Sequence, residues 1–432
     1  MLAGTFAMNA YNLTDTWFVA QLGTLPLAAI GFTFPVVMLL IFVAGGIGSG
    51  VTTLVSHAIG RRDRHSAAGL TTHGITFVVL TTAAISVVGY ISINAVFTRL
   101  GADSQTLPLI GDYMRIWYLG ALFMGLPMLG NGLLISAGDS RSASRVMILG
   151  TVINVVLDPI LIFGYLGLPA MGIAGAALAT VIARLITTIW LFHLLYRKHR
   201  LLLFKISRIG EYLISFRKIL TFAVPSSLSM MLMPISAAVI TRILSDFGNE
   251  AIAAIGVAGR IEMFAFVIPM ALGMSMTPFV SQNYGANRLD RVREAKTLST
   301  RFALLYGGAT AVIFFICAPW FAAAFNSDPK VCKILVTYIR IISFGYGMME
   351  VHRYCGFILT GIHRPGASMI LNAIRVLVLL IPLSLLGAHL GGVEGTFIGR
   401  LVTDLTVGSI GLVWVSRSLK ATLAPATDKP PN

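Results

Sequence analysis

The feature that most limits what this chain can fold into is the recurrence of long apolar stretches. They run at about 1–20, 27–59, 68–97, 107–136, 146–163, 171–196, 219–244, 251–280, 302–325, 334–360, 367–390 and 395–416. A helix needs roughly 20 apolar residues to cross a bilayer. Lipid offers no hydrogen bonds, so each crossing segment must satisfy its own backbone, and helices are the expected form. Twelve such helices take up nearly all of the 432 residues, which leaves no room for an extramembrane catalytic domain. Only 11% of the residues are charged, against about 25% in soluble domains. The mean hydropathy of +0.84 agrees. The expected fold class is an all-α integral membrane protein of twelve transmembrane helices.

The net charge of +15 has a membrane reading, because basic residues stay in cytoplasmic loops. Arg61, Arg62 and Arg64 fall in such a loop, as do Arg141 with Arg145, and Arg288 with Arg291 and Arg293. The connection at 197–218 adds Arg197, Lys198, Arg200, Lys205, Arg208, Arg217 and Lys218. The opposite loops, such as Gln21 to Pro26 and Gly164 to Met171, lack Lys and Arg. Both termini are therefore expected in the cytoplasm, with the chain in the inner membrane, and nucleic acid is not an expected partner. The first residues carry no basic n-region and do not read as a cleaved signal peptide. Cys317, Cys332 and Cys355 lie in apolar surroundings without metal-ligand spacing.

An internal repeat runs through the chain. Leu27 to Gly31 matches Ile252 to Gly256, Ser56 and Gly60 match Ser281 and Gly285, and Tyr113 and Gly120 match Tyr338 and Gly345, each at an offset of 225. Six spans repeating as six keep both halves in the same orientation. Two parallel six-helix lobes with a central cleft follow, an architecture suited to alternating access. The boundaries read as 1–196 for the N-lobe, 197–218 for a basic linker, 219–416 for the C-lobe and 417–432 for a tail.

Of the 17 acidic residues, Asp15 and Asp158 stand out by depth. A carboxylate at the bilayer centre costs ~2.5–3.5 kcal/mol on insertion scales, so it is expected to face a cavity or a partner. Each lies six residues before an outer loop, roughly 9 Å below the end of its helix. One turn deeper on the same faces lie Tyr11 and Asn154. Pro159 removes a backbone donor next to Asp158. Their second-half counterparts are Ile240 and about Leu380, so this pair belongs to one lobe. Two carboxyls in a low-dielectric cavity suit uptake of a proton, or of Na⁺ with oxygens from Asn154 and the backbone. Arg184 is the complicating neighbour, since a guanidinium reaching Asp158 would fix its charge. The second lobe carries Arg260 near Glu262, Arg375, and Arg400 with Asp404 at i, i+4; these read as structural pairs or gate elements. His352 beside Glu350 and Arg353 reads as an interfacial histidine. Gly45 to Gly50 resembles a phosphate loop but lacks the following Lys-Ser/Thr, and small residues in an apolar helix read as close packing. No arrangement of catalytic groups is present, and the chain is not expected to be an enzyme.

The chain resembles the multidrug and toxic compound extrusion (MATE) family. The resemblance rests on Asn12-Leu13-Thr14-Asp15-Thr16, Leu27 to Gly31, Ala137-Gly138-Asp139-Ser140-Arg141, Asn154 to Pro159, Gly172 to Thr180, and Ser281-Gln282-Asn283-Tyr284-Gly285-Ala286. It looks like the DinF branch, whose ion-coupling acids lie in the first and fifth spans, as Asp15 and Asp158 do. The branch's accompanying polar positions map onto Tyr11 and Asn154, and onto Tyr113 and Thr180 for the substrate cavity. The NorM branch carries an acid in the seventh span, and none occurs between 219 and 244. Family members place further residues, with a proline, before the Tyr11 equivalent, so the first span reads as shortened. The resemblance implies a monomeric antiporter in the lipid bilayer that exports bulky, often cationic or amphipathic small molecules. It would exchange them for H⁺ or Na⁺ and use no cofactor. A flippase for lipid-linked saccharides, holding diphosphate on Arg184, Arg260 and Arg375, is the alternative in the same superfamily; a channel or sensor is a third.

Overall fold

In the computed structural model, residues 1–203, 208–325 and 327–421 are described, with backbone alone at residues 9, 12 and 13. Helices follow one another with short connections. They are α1 (Leu2–Ala20), α2 (Thr24–Gly60), α3 (Arg64–Arg99), α4 (Thr106–Gly120), α5 (Leu122–Ser136), α6 (Ser140–Phe163) and α7 (Ile173–His193). Then come α8 (Ile209–Ser245), α9 (Asn249–Ala265), α10 (Val267–Gly285), α11 (Leu289–Phe325), α12 (Pro329–Ile342), α13 (Tyr346–Gly361), α14 (Pro365–Ala373) and α15 (Ile381–Ala421).

Among the described residues, eight helical stretches are long and apolar enough to cross a membrane. Two bent pairs, α4 with α5 at 48° and α9 with α10 at 60°, raise the number to ten. The stretch Pro365–Ala421 is 57 residues long and reverses at Gly391–Gly392, where Gly392 takes φ +58. Few residues other than glycine adopt that conformation cheaply, so the stretch is two legs joined by a tight turn. With α1, whose 19 residues are long enough but not apolar enough to be counted among them, the legs among the described residues number twelve, as the sequence suggested.

Three helices start where an aspartate side chain accepts from an N-terminal amide. Asp63 accepts from Ser66 N at 2.9 Å to open α3, and Asp139 from Ser142 N at 3.1 Å to open α6. Asp328 accepts from Lys330 N at 2.8 Å to open α12. The repeat is visible in these starts: Thr24 and Asn249, Arg64 and Leu289, and Ser140 and Pro365 are each 225 residues apart.

The chain divides into two compact units, Met1–Ser227 and Leu228–Asn432. The division falls inside α8, after the basic stretch at 197–218. Residues 204–207 of that stretch and 422–432 of the tail lie outside the described residues, and α15 continues to Ala421, past the 416 boundary. In the first unit, Ile110, Met114 and Trp117 of α4 pack with Ala29, Phe97 and Ile173. The glycine run of α2 is a packing surface: a Cβ on Gly46 would come within 1.9 Å of Ser227 Oγ and 2.7 Å of Ala223 O. In the second unit, one core gathers α9 and α12 around Ala254, Ala258, Leu335 and Ile339. Another surrounds α13 at Tyr354, Cys355 and Leu359.

Candidate functional site

Three helices of the first unit each bring a polar pair, one turn apart, to the same place. α1 supplies Tyr11 and Asp15, α6 supplies Asn154 and Asp158, and α7 supplies Thr180 and Arg184. The i, i+4 spacing puts both members of each pair on one face, and α1, α6 and α7 pack against one another. Asn154 Nδ2 donates to Asp158 Oδ1 at 3.1 Å, and lies 3.4 Å from Thr180 Oγ1. Thr180 Oγ1 in turn shares a hydrogen bond with the Tyr11 hydroxyl at 3.2 Å. Thr180 is the link that joins α1 to α6 through α7. Tyr113, on α4, lies in the electrostatic field of Asp15, Tyr11 and Asp158, so all six expected residues come together.

The electrostatics of this cluster are unbalanced. Asn154 and Asp158 are fully buried, yet Asn154 Oδ1 and Asp158 Oδ2 receive no hydrogen bond. An unsatisfied buried acceptor costs roughly 1–3 kcal/mol. Asp15 is close enough to Asp158 for the two carboxylates to repel each other, and it makes no ion pair among the described residues. Arg184 does not neutralise them. Its guanidinium lies over the Tyr11 ring, 5.5 Å from the centroid, in a cation–π arrangement. Pro159 leaves the Val155 carbonyl without its helical donor beside the same cluster.

The polar interior of the second unit differs in its ion pairing, although Glu350 Oε1 and Oε2 and Asp404 Oδ2 there also receive no hydrogen bond. Glu262 of α9 receives Tyr338 OH at 2.8 Å and Arg400 Nη2 at 2.8 Å, and Arg400 also donates to the Tyr338 hydroxyl. Arg375 holds Asp404 Oδ1 through Nη2 at 2.9 Å and Nε at 3.2 Å. Arg353 pairs with Glu350 at 3.0 Å, and His352 Nε2 bonds Asn372 Oδ1 at 3.0 Å. Arg260 is exposed and is not the partner of Glu262, contrary to the reading from sequence proximity. Residues two apart on a helix point to different faces, so Glu262 pairs across to α15. Likewise Arg400 stands 3.9 Å from Asp404 on its own helix while Arg375 makes the closer bond. Arg375 sits in a π-helical segment, Ile374–Leu380, an irregularity that sequence spacing does not announce.

Comparison with known proteins agrees with the repeat. The MatE family model matches residues 1–160 and again residues 225–386. The chain is similar to the FAD transporter of Shewanella oneidensis, 35% identical over 407 residues, or 94% of this chain and 90% of that one. It is similar to the multidrug export protein MepA of Staphylococcus aureus, 23% identical over 418 residues, or 94% and 88% of the two chains. Among solved structures it resembles the Vibrio cholerae MATE transporter VcmN in the bent form, with a TM-score of 0.92. There the identity is 27% and the match covers 98% of this chain and 95% of that one.

Proposed function

The chain belongs to the MatE family and is therefore a membrane transporter, not an enzyme; from that premise we propose that it is a cation-coupled antiporter whose ion site is the first-unit cluster. Asp15 and Asp158 exchange H⁺ or Na⁺ against cargo, Asn154 and Tyr11 complete the ion's surroundings, and Tyr113 and Thr180 border the cargo cavity. The observation that carries this reading is the pair of orphaned acceptors, Asn154 Oδ1 and Asp158 Oδ2, beside a second carboxylate. A cation there would satisfy both oxygens and relieve the repulsion. Each charge crossing 100 mV gains ~2.3 kcal/mol, enough to hold an uncharged cargo at about a fiftyfold gradient. The acids on the first and fifth spans match the DinF-like pattern. The protein acts as a monomer in the inner membrane, with both termini cytoplasmic.

The cargo is a bulky amphipathic organic compound. A second reading, a flavin nucleotide, is favoured by the 35% identity to a FAD transporter over most of both chains. The guanidinium of Arg184, free of any carboxylate among the described residues, would suit an anionic group. The saccharide-flippase alternative calls for several free cations, and Arg375 is already held by Asp404.

The experiment is counterflow in proteoliposomes, with a pH gradient and a Na⁺ gradient imposed separately and with labelled FAD and an organic cation as cargoes. Asp15→Asn and Asp158→Asn are each expected to reduce gradient-driven flux to background. Wild-type flux in both variants refutes the coupling role. Flux of neither cargo under either gradient refutes the export reading.

A further inference from the structure

We propose that the first unit holds a single anionic phospholipid at its basic end, with an acyl chain in a groove between α3 and α7 and the phosphate on Arg197 and Arg200. The groove has a volume of about 430 Å³ and is almost wholly apolar. Ile75 and Thr76 of α3, Phe192 and Tyr196 at the end of α7, and Leu202 and Leu203 line it. Its floor is a strap of chain pinned to α3: Leu203 N donates to Thr72 Oγ1 at 3.0 Å, while Leu201 is buried. The strap is reached by a reversal at Arg200, which adopts φ +52. That conformation is uncommon for a residue with a Cβ; Arg200 lies two residues before the lining residue Leu202, and Arg197 directly follows the lining residue Tyr196.

Three observations select the occupant. The first is depth. The 36 residues of α3 span ~54 Å, and centring them on a ~30 Å hydrocarbon layer leaves ~12 Å beyond each face. Thr72 is eight residues from the start of α3, about 12 Å along the axis. The groove therefore begins at the boundary between headgroups and acyl chains and runs inward from it. The second is charge. Arg197 and Arg200 are exposed and make no ion pair among the described residues, whereas the nearby Asp139 is already held by Lys198 at 2.6 Å and His199 at 3.0 Å. Basic pockets of this kind at the ends of membrane helices attract anionic headgroups. The third is shape: the opposite face of α3 is closed by the start of α8, where His73 bonds Ser215 at 2.8 Å and Phe77 stacks on Phe216 at 4.5 Å. At this end of α3 the groove face, lined by Ile75 and Thr76, is left open.

Native mass spectrometry of the full-length protein, titrated with phosphatidylglycerol, phosphatidylcholine of the same chains and glycerol 3-phosphate, tests the proposal. One phosphatidylglycerol is expected to bind more tightly than phosphatidylcholine, and glycerol 3-phosphate is expected not to compete. Arg197→Gln and Arg200→Gln should each weaken phosphatidylglycerol binding about fivefold. Ile75→Trp, or Thr76→Phe if that variant does not fold, should abolish tight binding with the charges intact. The charge-matched pair Arg291→Gln with Arg293→Gln should leave it unchanged. Wild-type affinity in the Arg197/Arg200 double variant overturns the site. So does wild-type affinity in a folded groove-filled variant, equal competition by glycerol 3-phosphate, or an equal loss in the Arg291/Arg293 control.

Discussion

The two units are built on one repeat, yet they treat buried charge in opposite ways. Tyr113 and Tyr338 are equivalent positions at the 225-residue offset, and each sits beside buried acids. Around Tyr338, Glu262 has Arg400, and the neighbouring Asp404 has Arg375; elsewhere in the second unit Glu350 has Arg353. Around Tyr113, Asp158 is bonded by the Asn154 amide, neither it nor Asp15 has an ion pair among the described residues, and Arg184 is turned onto an aromatic ring. A paired carboxylate stays charged through a transport cycle and holds helices together. An unpaired one in the same kind of interior gains by taking up a cation. The proposed ion site rests on this difference in charge pairing and not on the mere presence of acids.

The largest effect that would break this contrast is on transport. Asp158→Asn should reduce gradient-driven efflux to background while the protein still folds, because the amide also satisfies a neutral site. Asp404→Asn should instead damage stability, since it leaves Arg375 without its counter-charge. If both variants fail in the same assay in the same way, the two networks do not differ in role.

Stability gives the next test. Breaking a buried ion pair from one side costs roughly 3–5 kcal/mol, whereas replacing both members by apolar groups is often neutral. Arg375→Gln is therefore expected to lower the thermal midpoint in detergent sharply, and Arg375→Met combined with Asp404→Leu to recover most of it. In the first unit Arg184→Gln has no ion pair to break and should change the midpoint by much less.

A smaller effect concerns Thr180. Thr180→Val removes the hydroxyl that links Tyr11 to Asn154, worth about 1 kcal/mol. The half-maximal H⁺ or Na⁺ concentration for transport should shift by several-fold, with the maximal rate nearly kept. Tyr338→Phe, at the repeat-related tyrosine, should leave that concentration unchanged.

The smallest effect is acid-dependent and also asymmetric. Asp139 opens α6, and Arg364 occupies the equivalent place before α14. Burial pushes the Asp139 carboxyl up, but Lys198, the Ser142 side chain and amide, and His199 outweigh it and hold the carboxyl well below the usual range. A carboxyl lowered on folding contributes stability above its unfolded pKa and loses it as the pH falls through the folded value. Hydrogen exchange should therefore stay slow in the first turn of α6 at neutral pH and speed up only below about pH 4, near the unfolded carboxylate pKa. The first turn of α14, which has no carboxylate cap, should not respond to acid in that range.

Much of this molecule was legible in the amino-acid order. The twelve legs follow from apolar run length, because lipid forces each backbone to satisfy itself. The repeat and the one-sided placement of Asp15 and Asp158 are plain comparisons of positions, and the i, i+4 rule put Tyr11 and Asn154 beside them. Nearness in sequence misled where that rule was not applied: Arg260 and Glu262 are two apart on α9, face different ways, and are not partners.

The sequence by itself determined which segments cross the membrane, that they form two copies of one plan, and which acids lie at depth without a nearby cation on their own helix. Only the tertiary structure decided that Arg184 faces Tyr11 instead of Asp158, that Thr180 bridges two helices, and that Arg400 belongs to Glu262. Partner choice across helices depends on each helix's rotation about its axis and on breaks such as the π-helical turn at Arg375. Those are set by packing over the whole unit, and no local spacing records them.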